Sequence, residues 1–344
     1  MSGATTGNAS DVRRGLRNVR SLIHARDLPS WASVLLLVVG ALAGASAYPG
    51  LLSTQVLLNL LIDNAFLLVV AVGMSFVILS GGIDLSVGSV VALTTMLLAL
   101  GVERAHLSPL VLIPLLLIGG AAFGALMGAV IHVFAIPPFI VTLAGLFLAR
   151  GLCYLLSVDS IPITDTTLTA WSQARWSLGP LGEITPGAVC SLAVLVLAVA
   201  VSRSTPFGRA VFALGGQETS ARLMGLPVAA TRIGVYALSG GCAALGGVLF
   251  GIYTLSGYGL HAQGLELDAI AAVVIGGALL SGGIGHVLGA LTGVLMLGLI
   301  QTLILFDGTL SSWWTRIVIG ALLGLFCGLQ RVMVLWHGRS SRRA

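Results

Sequence analysis

The tetrapeptide Leu-Ser-Gly-Gly occurs twice in the chain, at residues 79–82 and 280–283, each time followed by isoleucine. Some ATPases use this string to contact bound nucleotide, so ATP hydrolysis is the first chemistry to consider. A phosphate-binding loop of the usual type needs a lysine that reaches the β- and γ-phosphates. All 17 basic residues of this chain are arginine, which excludes hydrolysis by that route. We therefore interpret the two strings as glycine joints between apolar segments.

Carboxylates inside or beside apolar segments are the next candidates, because a charge is costly there and is functional by default. Asp84 follows the first glycine joint. It fits either a helix cap that accepts backbone N–H groups or a group that lines a polar path. Asp63 lies within about a turn and a half of Asn59 and Asn64 on one helix. These three polar groups fit either a polar path or a helix end near the membrane surface.

Glu266 and Asp268 stand at the start of a later apolar segment, where carboxylates suit a helix N-terminus. We interpret this pair as structural and keep Asp268 among the residues that could line a path. The candidates for a translocation path are Asn59, Asp63, Asn64, Asp84 and Asp268. These acids are few and lie near segment ends, which disfavours a proton relay and leaves a proton-coupled transporter as the alternative.

Enzymatic chemistry finds little support in the residue pattern. An intramembrane serine protease needs a serine with a histidine base on a neighbouring helix, and no such pair is identifiable by spacing around Ser75, His132 or His286. Neither metal-ligand spacing nor a dinucleotide fingerprint is present, and the four cysteines are scattered singly among apolar residues. The sequence predicts a conduit that needs no metal or cofactor.

The elements that position these residues are membrane spans. The chain is 57% hydrophobic and 8% charged over 344 residues, with a mean hydropathy of +1.05, whereas about a quarter of an average soluble domain is charged. This composition predicts an all-α polytopic membrane bundle of ten spans. The predicted spans are Trp31–Tyr48, Val56–Ser80, Asp84–Val102, Ser108–Phe134, Phe139–Ser157, Pro186–Ser202, Arg232–Ser256, Leu267–Leu280, Gly285–Phe306 and Trp313–Met333. Each glycine joint between spans is either a tight turn or a re-entrant break.

Arginine placement predicts the orientation. Three segments are rich in arginine: the tail 1–30, the loop 203–232 and the tail 334–344. Positive charge marks the cytoplasmic side, and ten alternating spans place all three segments there. The first span is interpreted as uncleaved, although an arginine-rich start also suits a signal peptide. The excess of basic over acidic residues indicates contact with anionic lipid and not with nucleic acid.

Three double GxxxG runs mark close helix contacts, at residues 120–128, 285–293 and 320–328. Helices approach closely along a stripe without side chains. Tight packing inside the bundle is the simpler interpretation. A contact between subunits is the alternative, for which the run 320–328 is the best candidate.

The loop 203–232 holds a short helix, predicted at residues 217–224, between two glycine breaks. A short amphipathic helix on the arginine-rich side can dock into the groove of a soluble partner. An ordinary surface linker is the alternative interpretation.

Several stretches resemble bacterial ABC importer permeases of the ribose/galactose sugar family. These are "GMSFVILSGGIDLSVGSVVAL", "IPPFIVTLAG", "GGQETSARLMGLPV" and "AVVIGGALLSGG". The resemblance implies a bacterial inner-membrane permease that works with separate ABC ATPase subunits, a second permease subunit and a periplasmic sugar-binding protein. It also implies that the loop couples to the ATPase through Gly215, Gly216, Ser220, Ala221, Arg222, Met224 and Gly225. The alanine pair usual in this motif reads Ser220–Ala221 here.

Further stretches, such as "DNAFLLVVAVGM" and "FDGTLSSWWTRI", resemble the permeases of galactofuranose importers. In that group two different permeases pair, so the resemblance implies galactofuranose as the sugar and a heterodimer in preference to a homodimer.

Overall fold

A computed structural model describes residues 31–309, 311 and 313–340 of the chain. In chain order the helices are α1 (Trp31–Ala47), α2 (Thr54–Asp63), α3 (Ala65–Leu79), α4 (Val87–Glu103), α5 (Pro109–Val133), α6 (Pro138–Leu156), α7 (Thr166–Gln173), α8 (Pro186–Ser204), α9 (Pro206–Gly216), α10 (Glu218–Leu223), α11 (Val228–Thr254), α12 (Leu265–Ile275), α13 (Gly289–Asp307) and α14 (Trp313–Ser340). The short strands are β1 (Ile161–Pro162), β2 (Trp176–Ser177), β3 (Glu183–Ile184) and β4 (Ser256–Gly257). β1 pairs with β4 and β2 with β3, both antiparallel.

Within the described residues, five helices are long and apolar enough to cross a membrane: α5, α6, α8, α11 and α13. α2 and α3 pass the same test when they are taken together, and the pair bends by 57°, as a broken span or a re-entrant loop does. α1, α4 and the first part of α14 are shorter apolar helices. The prediction of an all-α polytopic membrane bundle is confirmed.

Three predicted boundaries differ from the structure. The second predicted span is broken at Asn64, where α2 and α3 meet. The eighth does not reach Leu280, because α12 ends at Ile275 and Gly277 adopts a left-handed backbone with φ of +98° that a helix cannot continue. α14 extends to Ser340, so the predicted tail 334–344 begins inside this helix. The predicted N-terminal tail lies outside the described residues.

α5 and α11 pack backbone against backbone along the first glycine run, residues 120–128. A Cβ added at Gly120 would lie 2.6 Å from the carbonyl oxygen of Gly240, and one at Gly124 would collide with that of Tyr236. Only glycine allows this approach, which gains dispersion contacts along the whole stripe. The interpretation of tight packing inside the bundle is confirmed for this run.

The other two glycine runs differ from each other. Gly289 lies against Gly276, and Gly293 against Ala272, so the second run packs α13 on α12. A Cβ on Gly320, Gly324 or Gly328 would meet nothing within 4 Å in the described part of the chain. The third run is therefore open on the surface of α14, and its role as a subunit contact stays a prediction.

We expect Gly124→Val to destabilise the bundle strongly. Its side chain would meet the Tyr236 carbonyl, which cannot move without separating α5 from α11. Overpacking costs about 1–3 kcal/mol, and a backbone obstacle favours the upper end of that range. Thermal unfolding of the detergent-purified protein measures the effect. Gly119→Val is the matched control, because Gly119 has open space on the same helix. Equal melting temperatures for the two variants would contradict this packing.

The glycine joints are turns between antiparallel helices. Phe66 of α3 packs on Phe250 of α11, and Gly73 on Ser239, so α3 and α11 run antiparallel. α4 runs parallel to α11, because Gly247 lies against Val91 and Gly251 against Leu98. α3 and α4 are therefore antiparallel. The pairing of α12 with α13 along the second glycine run is antiparallel as well.

The bundle has two distinct ends. At the α7 end, the Glu103 carboxylate accepts hydrogen bonds from the backbone N–H of Thr164 (2.6 Å) and of Asp165 (3.1 Å). This contact ties the end of α4 to the segment that precedes α7. At the α10 end lie the two glycine joints and the loop from α8 to α11. The candidate site occupies that second end.

Candidate functional site

The loop between α8 and α11 folds into two short helices. Thr205 caps α9 with its hydroxyl. Gln217 has an extended backbone and separates α9 from α10. Gly225 ends α10 with a left-handed φ of +75°, the conformation that glycine adopts without steric cost. The short helix predicted at residues 217–224 is confirmed as α10.

α10 is fixed to the bundle by an apolar contact and by ion pairs. Ala221 is buried and packs in a small apolar cluster with Val228 of α11. The Glu218 carboxylate binds Arg222 at 3.2 Å and Arg232 at 2.6 Å. The shorter pair joins α10 to α11 and is partly buried. Both contacts join α10 to the first turns of α11.

The free side of α10 carries an exposed apolar tip. Leu223 is 89% exposed and Met224 is 67% exposed, beside the exposed side chain of Arg222. Exposed apolar residues rimmed by polar ones mark interaction sites. Sequence reasoning included Met224 and Arg222 and missed Leu223. An apolar Leu-Met pair at the end of an arginine-rich loop was the signal that could have found it.

The end of α9 touches both glycine joints. A Cβ on Gly215 would collide with the Leu79 carbonyl oxygen and lie 2.6 Å from the Gly283 nitrogen. The Gly283 N–H donates to the Leu79 carbonyl at 2.9 Å, which links the joints directly. A Cβ on Gly282 would lie 2.7 Å from the Gly81 nitrogen. We call this contact of Leu79, Gly81, Gly215, Gly282 and Gly283 the glycine junction. It holds three chain segments in backbone contact.

A polar cleft of about 510 Å³ opens beside the glycine junction. It lies between the first glycine joint, the connection from α5 to α6, and the turn from α9 to α10. Its lining includes Ser80, His132, Gln217, Glu218, Arg222 and Arg232. The cleft and the apolar tip together form a surface with polar and apolar features suited to a protein partner.

Asp84 is completely buried and fully hydrogen-bonded. One carboxylate oxygen accepts from the backbone N–H (2.9 Å) and the hydroxyl (2.7 Å) of Ser86. The other accepts from the Ser239 hydroxyl on α11 at 2.8 Å. Asp84 thus joins the turn before α4 to α11, and it does not bond a backbone N–H inside the helix, because Ser86 precedes the first residue of α4.

We expect Asp84→Ala to destabilise the protein and Asp84→Asn to preserve its stability. Alanine leaves the Ser86 and Ser239 groups unsatisfied, and hydrogen bonds to a charged group contribute about 1.5–3 kcal/mol each. An asparagine side chain can accept from Ser86 and donate to the Ser239 oxygen. Melting temperatures test the structural role. An Asp84→Asn variant that folds normally and transports nothing would favour the path-lining alternative.

The other path candidates lie apart from Asp84. Asn59 accepts from Gln55 (2.9 Å) and Asp63 from the Tyr253 hydroxyl (3.3 Å), both on an exposed face of α2 at the α7 end. Asn64 is buried and donates within its own chain segment. The structure therefore brings Asn59 and Asp63 together and separates them from Asn64.

Asp268 lies in the first turn of α12, where it binds the Arg316 guanidinium of α14 at 3.0 Å. This pair joins α12 to α14 near the surface of the chain. The role of each path candidate in transport stays a prediction.

Within the described residues, five long apolar helices and several shorter ones define a polytopic membrane protein. The chain belongs to the family described as branched-chain amino acid transport system, permease component, which matches residues 56–326. Members of this class are transport subunits and not enzymes. The apolar bundle and the relatives make this chain a multi-pass inner-membrane protein.

The relatives among known proteins are named as permeases. The inner membrane ABC transporter permease protein YjfF of Escherichia coli (strain K12) is 52% identical over 92% of this chain and 96% of its own length. The fructose import permease protein FruG of Bifidobacterium longum is 33% identical over 98% and 99%. The ribose import permease protein RbsC of Escherichia coli (strain K12) is 36% identical over 83% and 87%. The resemblance to ribose/galactose-type permeases is confirmed. No solved structure matches the chain.

Proposed function

We propose that this chain is the membrane-spanning permease of an ABC importer that carries a monosaccharide into a bacterial cell. A separate ATPase supplies the energy. The full-length similarity to permeases named for fructose and ribose import supports a sugar substrate. The observation that carries the coupling role is the apolar tip of α10, mounted on the glycine junction.

The junction suggests how ATP hydrolysis drives transport. The ATPase docks on the α10 tip, and its closure displaces α10 and the end of α9. Because Gly215 contacts Leu79 and Gly283 without an intervening side chain, the displacement reaches both glycine joints at once. The helix pairs α3–α4 and α12–α13 then tilt together, so that a central polar path opens to one side of the membrane and then to the other.

The proposal also implies how the chain is oriented in the membrane. The α10 end faces the cytoplasm, because Arg203, Arg209, Arg222 and Arg232 lie in its loop and positive charge stays inside. The ten spans that the sequence predicts would put both chain termini on this same side. The α7 end then faces the periplasm, where a sugar-binding protein delivers the substrate.

A second permease completes the path. The glycines of the third run, on α14, have open space beside them in the described part of the chain, which supports a close contact with another helix. We favour a heterodimer and galactofuranose as the sugar, since several stretches resemble galactofuranose importer permeases. The YjfF name states no substrate.

Co-purification tests this proposal. The tagged chain is extracted in mild detergent, its companions are identified, and ATP hydrolysis is measured with and without the sugar-loaded binding protein. We expect an ABC ATPase in stoichiometric amount, hydrolysis that rises with the loaded binding protein, and a second permease of different sequence. A chain that purifies alone and moves sugar only along a proton gradient would replace this proposal with a secondary transporter.

A further inference from the structure

The chain segment 255–264 enters the bundle without helical structure. A Cβ on Gly257 would lie 2.5 Å from the Thr95 carbonyl of α4, and Gly259 lies against Cys153 of α6. Arg150 of α6 donates to the carbonyl oxygens of Gly259 (2.5 Å) and His261 (2.9 Å). Non-helical backbone at membrane depth is tolerated where it is buried in protein or lines a cavity. This segment is held by α4 and α6 on its buried side.

α12 begins where this segment ends, and its first turn meets the first turn of α4. A Cβ on Gly88 would collide with the Glu266 carboxylate and lie 2.8 Å from the Ala262 carbonyl. Since α4 runs parallel to α11 with Val91 beside Gly247, this meeting point is level with the middle of α11. Two helix N-termini thus converge inside the bundle. In secondary transporters, interrupted helices of this kind form substrate sites near the membrane midplane.

Polar atoms at this meeting point lack partners. Among the described residues, one carboxylate oxygen of Glu266 and the Nδ1 of His261 are buried without a hydrogen bond. Each unsatisfied buried polar atom costs free energy, and its retention in a folded protein calls for an explanation. Close packing does not explain the unpaired Glu266 oxygen, because Gly88 leaves space for this carboxylate. A larger residue at position 88 would exclude it.

A charged pair, Asp268 and Arg316, lies at the rim of the group formed by Glu266 and His261. Arg316 binds Asp268 at 3.0 Å and the Gln263 carbonyl at 3.1 Å. The side chain of Arg316 is 49% exposed and that of Asp268 is 14% exposed. With Arg150, two arginines balance the two carboxylates of Glu266 and Asp268. Charged groups within membrane-spanning segments are functional by default.

The chemistry of the group suits a neutral polyol. Glu266 and His261 offer hydrogen-bonding atoms, and Arg316 offers donors. The His261 ring meets the rings of Phe250 and Tyr258 edge-on, with centroids 5.1 and 5.7 Å apart, which adds apolar surface for the C–H face of a ring. Because these four charges balance, the charge of a ligand that carries net charge would find no free counter-charge in the group.

We propose that Glu266 and His261, with the Asp268–Arg316 pair at the rim, bind the hydroxyl groups of the transported sugar during its passage. This assignment rests on the proposed function and names the substrate contacts within it. It differs from the structural role that the sequence suggested for Glu266. The buried atoms become accessible when the helix pairs tilt.

Glu266→Gln and Asp268→Asn test the assignment with almost no change in shape. The complex of permease, ATPase and binding protein is reconstituted in proteoliposomes, with radiolabelled ribose, fructose, galactose and leucine as probes. We expect each variant to assemble normally and to keep ATP hydrolysis stimulated by the binding protein. We expect its sugar uptake to fall by about tenfold or more, since a contact to the moving substrate is lost. Glu183→Gln and Asp159→Asn, at exposed positions outside the group, are the matched controls.

The outcomes separate the two proposals. Wild-type rates of sugar uptake in Glu266→Gln and Asp268→Asn would overturn the substrate contacts and leave the importer function intact. Loss of assembly or of stimulated hydrolysis in both variants would show that these residues are structural, which also overturns the assignment. ATP-driven uptake of leucine but of no sugar would overturn both the sugar contacts and the proposed substrate class.

Discussion

Gly215→Val is expected to abolish ATP-driven uptake while the protein still inserts into the membrane. The valine side chain would occupy the space of the Leu79 carbonyl and the Gly283 nitrogen. Both are backbone atoms, so the end of α9 must move away from the glycine joints. Motion of α10 then no longer reaches the helix pairs α3–α4 and α12–α13. We expect uptake to fall by at least about tenfold, which corresponds to roughly 1.4 kcal/mol in the activation barrier.

Gly216→Val is the control for this change. A Cβ on Gly216 would meet nothing within 4 Å, although the two glycines are adjacent and both stand at the C-terminal end of α9. We expect this variant to retain most of its uptake. The measurement is ATP-driven sugar uptake in proteoliposomes, normalised to the amount of folded permease. Equal losses in both variants would show that the junction has no special part in coupling.

Leu223→Asp is expected to release the ATPase from the permease. Leu223 is 89% exposed in the isolated chain, so the substitution leaves folding unaffected. In the proposed complex its apolar side chain would be buried in a groove of the ATPase, where an unpaired carboxylate is costly. Loss of a central apolar anchor costs about 2 kcal/mol or more, or about 30-fold in affinity. Quantitative co-purification measures the change.

Leu178→Asp provides the comparison. Leu178 is an exposed leucine near the α7 end, 44% accessible to solvent, where the proposal places no ATPase. This variant should retain the ATPase in full. Retention of the ATPase by Leu223→Asp would place the docking surface elsewhere on the chain.

Much of the fold follows from local patterns. Long apolar runs determine where helices lie, because a membrane span must satisfy every backbone hydrogen bond internally. The glycine run 120–128 predicted a close helix contact. A stripe without side chains lets another helix approach, whatever residues that helix carries. α10 was predictable from the glycines that flank it. Each of these features depends on residues close together in the sequence.

The features that escaped prediction depend on distant residues. Nothing near Gly215 reveals that Leu79 and Gly283 lie beside it, since these residues meet only after the three chain segments of the glycine junction have packed. The sequence places Glu266 at a helix N-terminus. Its position opposite Gly88 could not be predicted, because it depends on the path of the whole segment 255–264. Asn64 lies next to Asp63 in the sequence and points elsewhere, because α2 and α3 bend apart between them.

One measurement tests the central claim most directly. The purified permease is reconstituted with its ATPase and binding protein, and sugar uptake is followed with ATP and without any proton gradient, then with a proton gradient and no ATP. We predict uptake that requires ATP, needs the binding protein and is lost with Leu223→Asp. Uptake that proceeds on the proton gradient alone, at the same rate in the Leu223→Asp variant, would contradict the account of α10 as the coupling element.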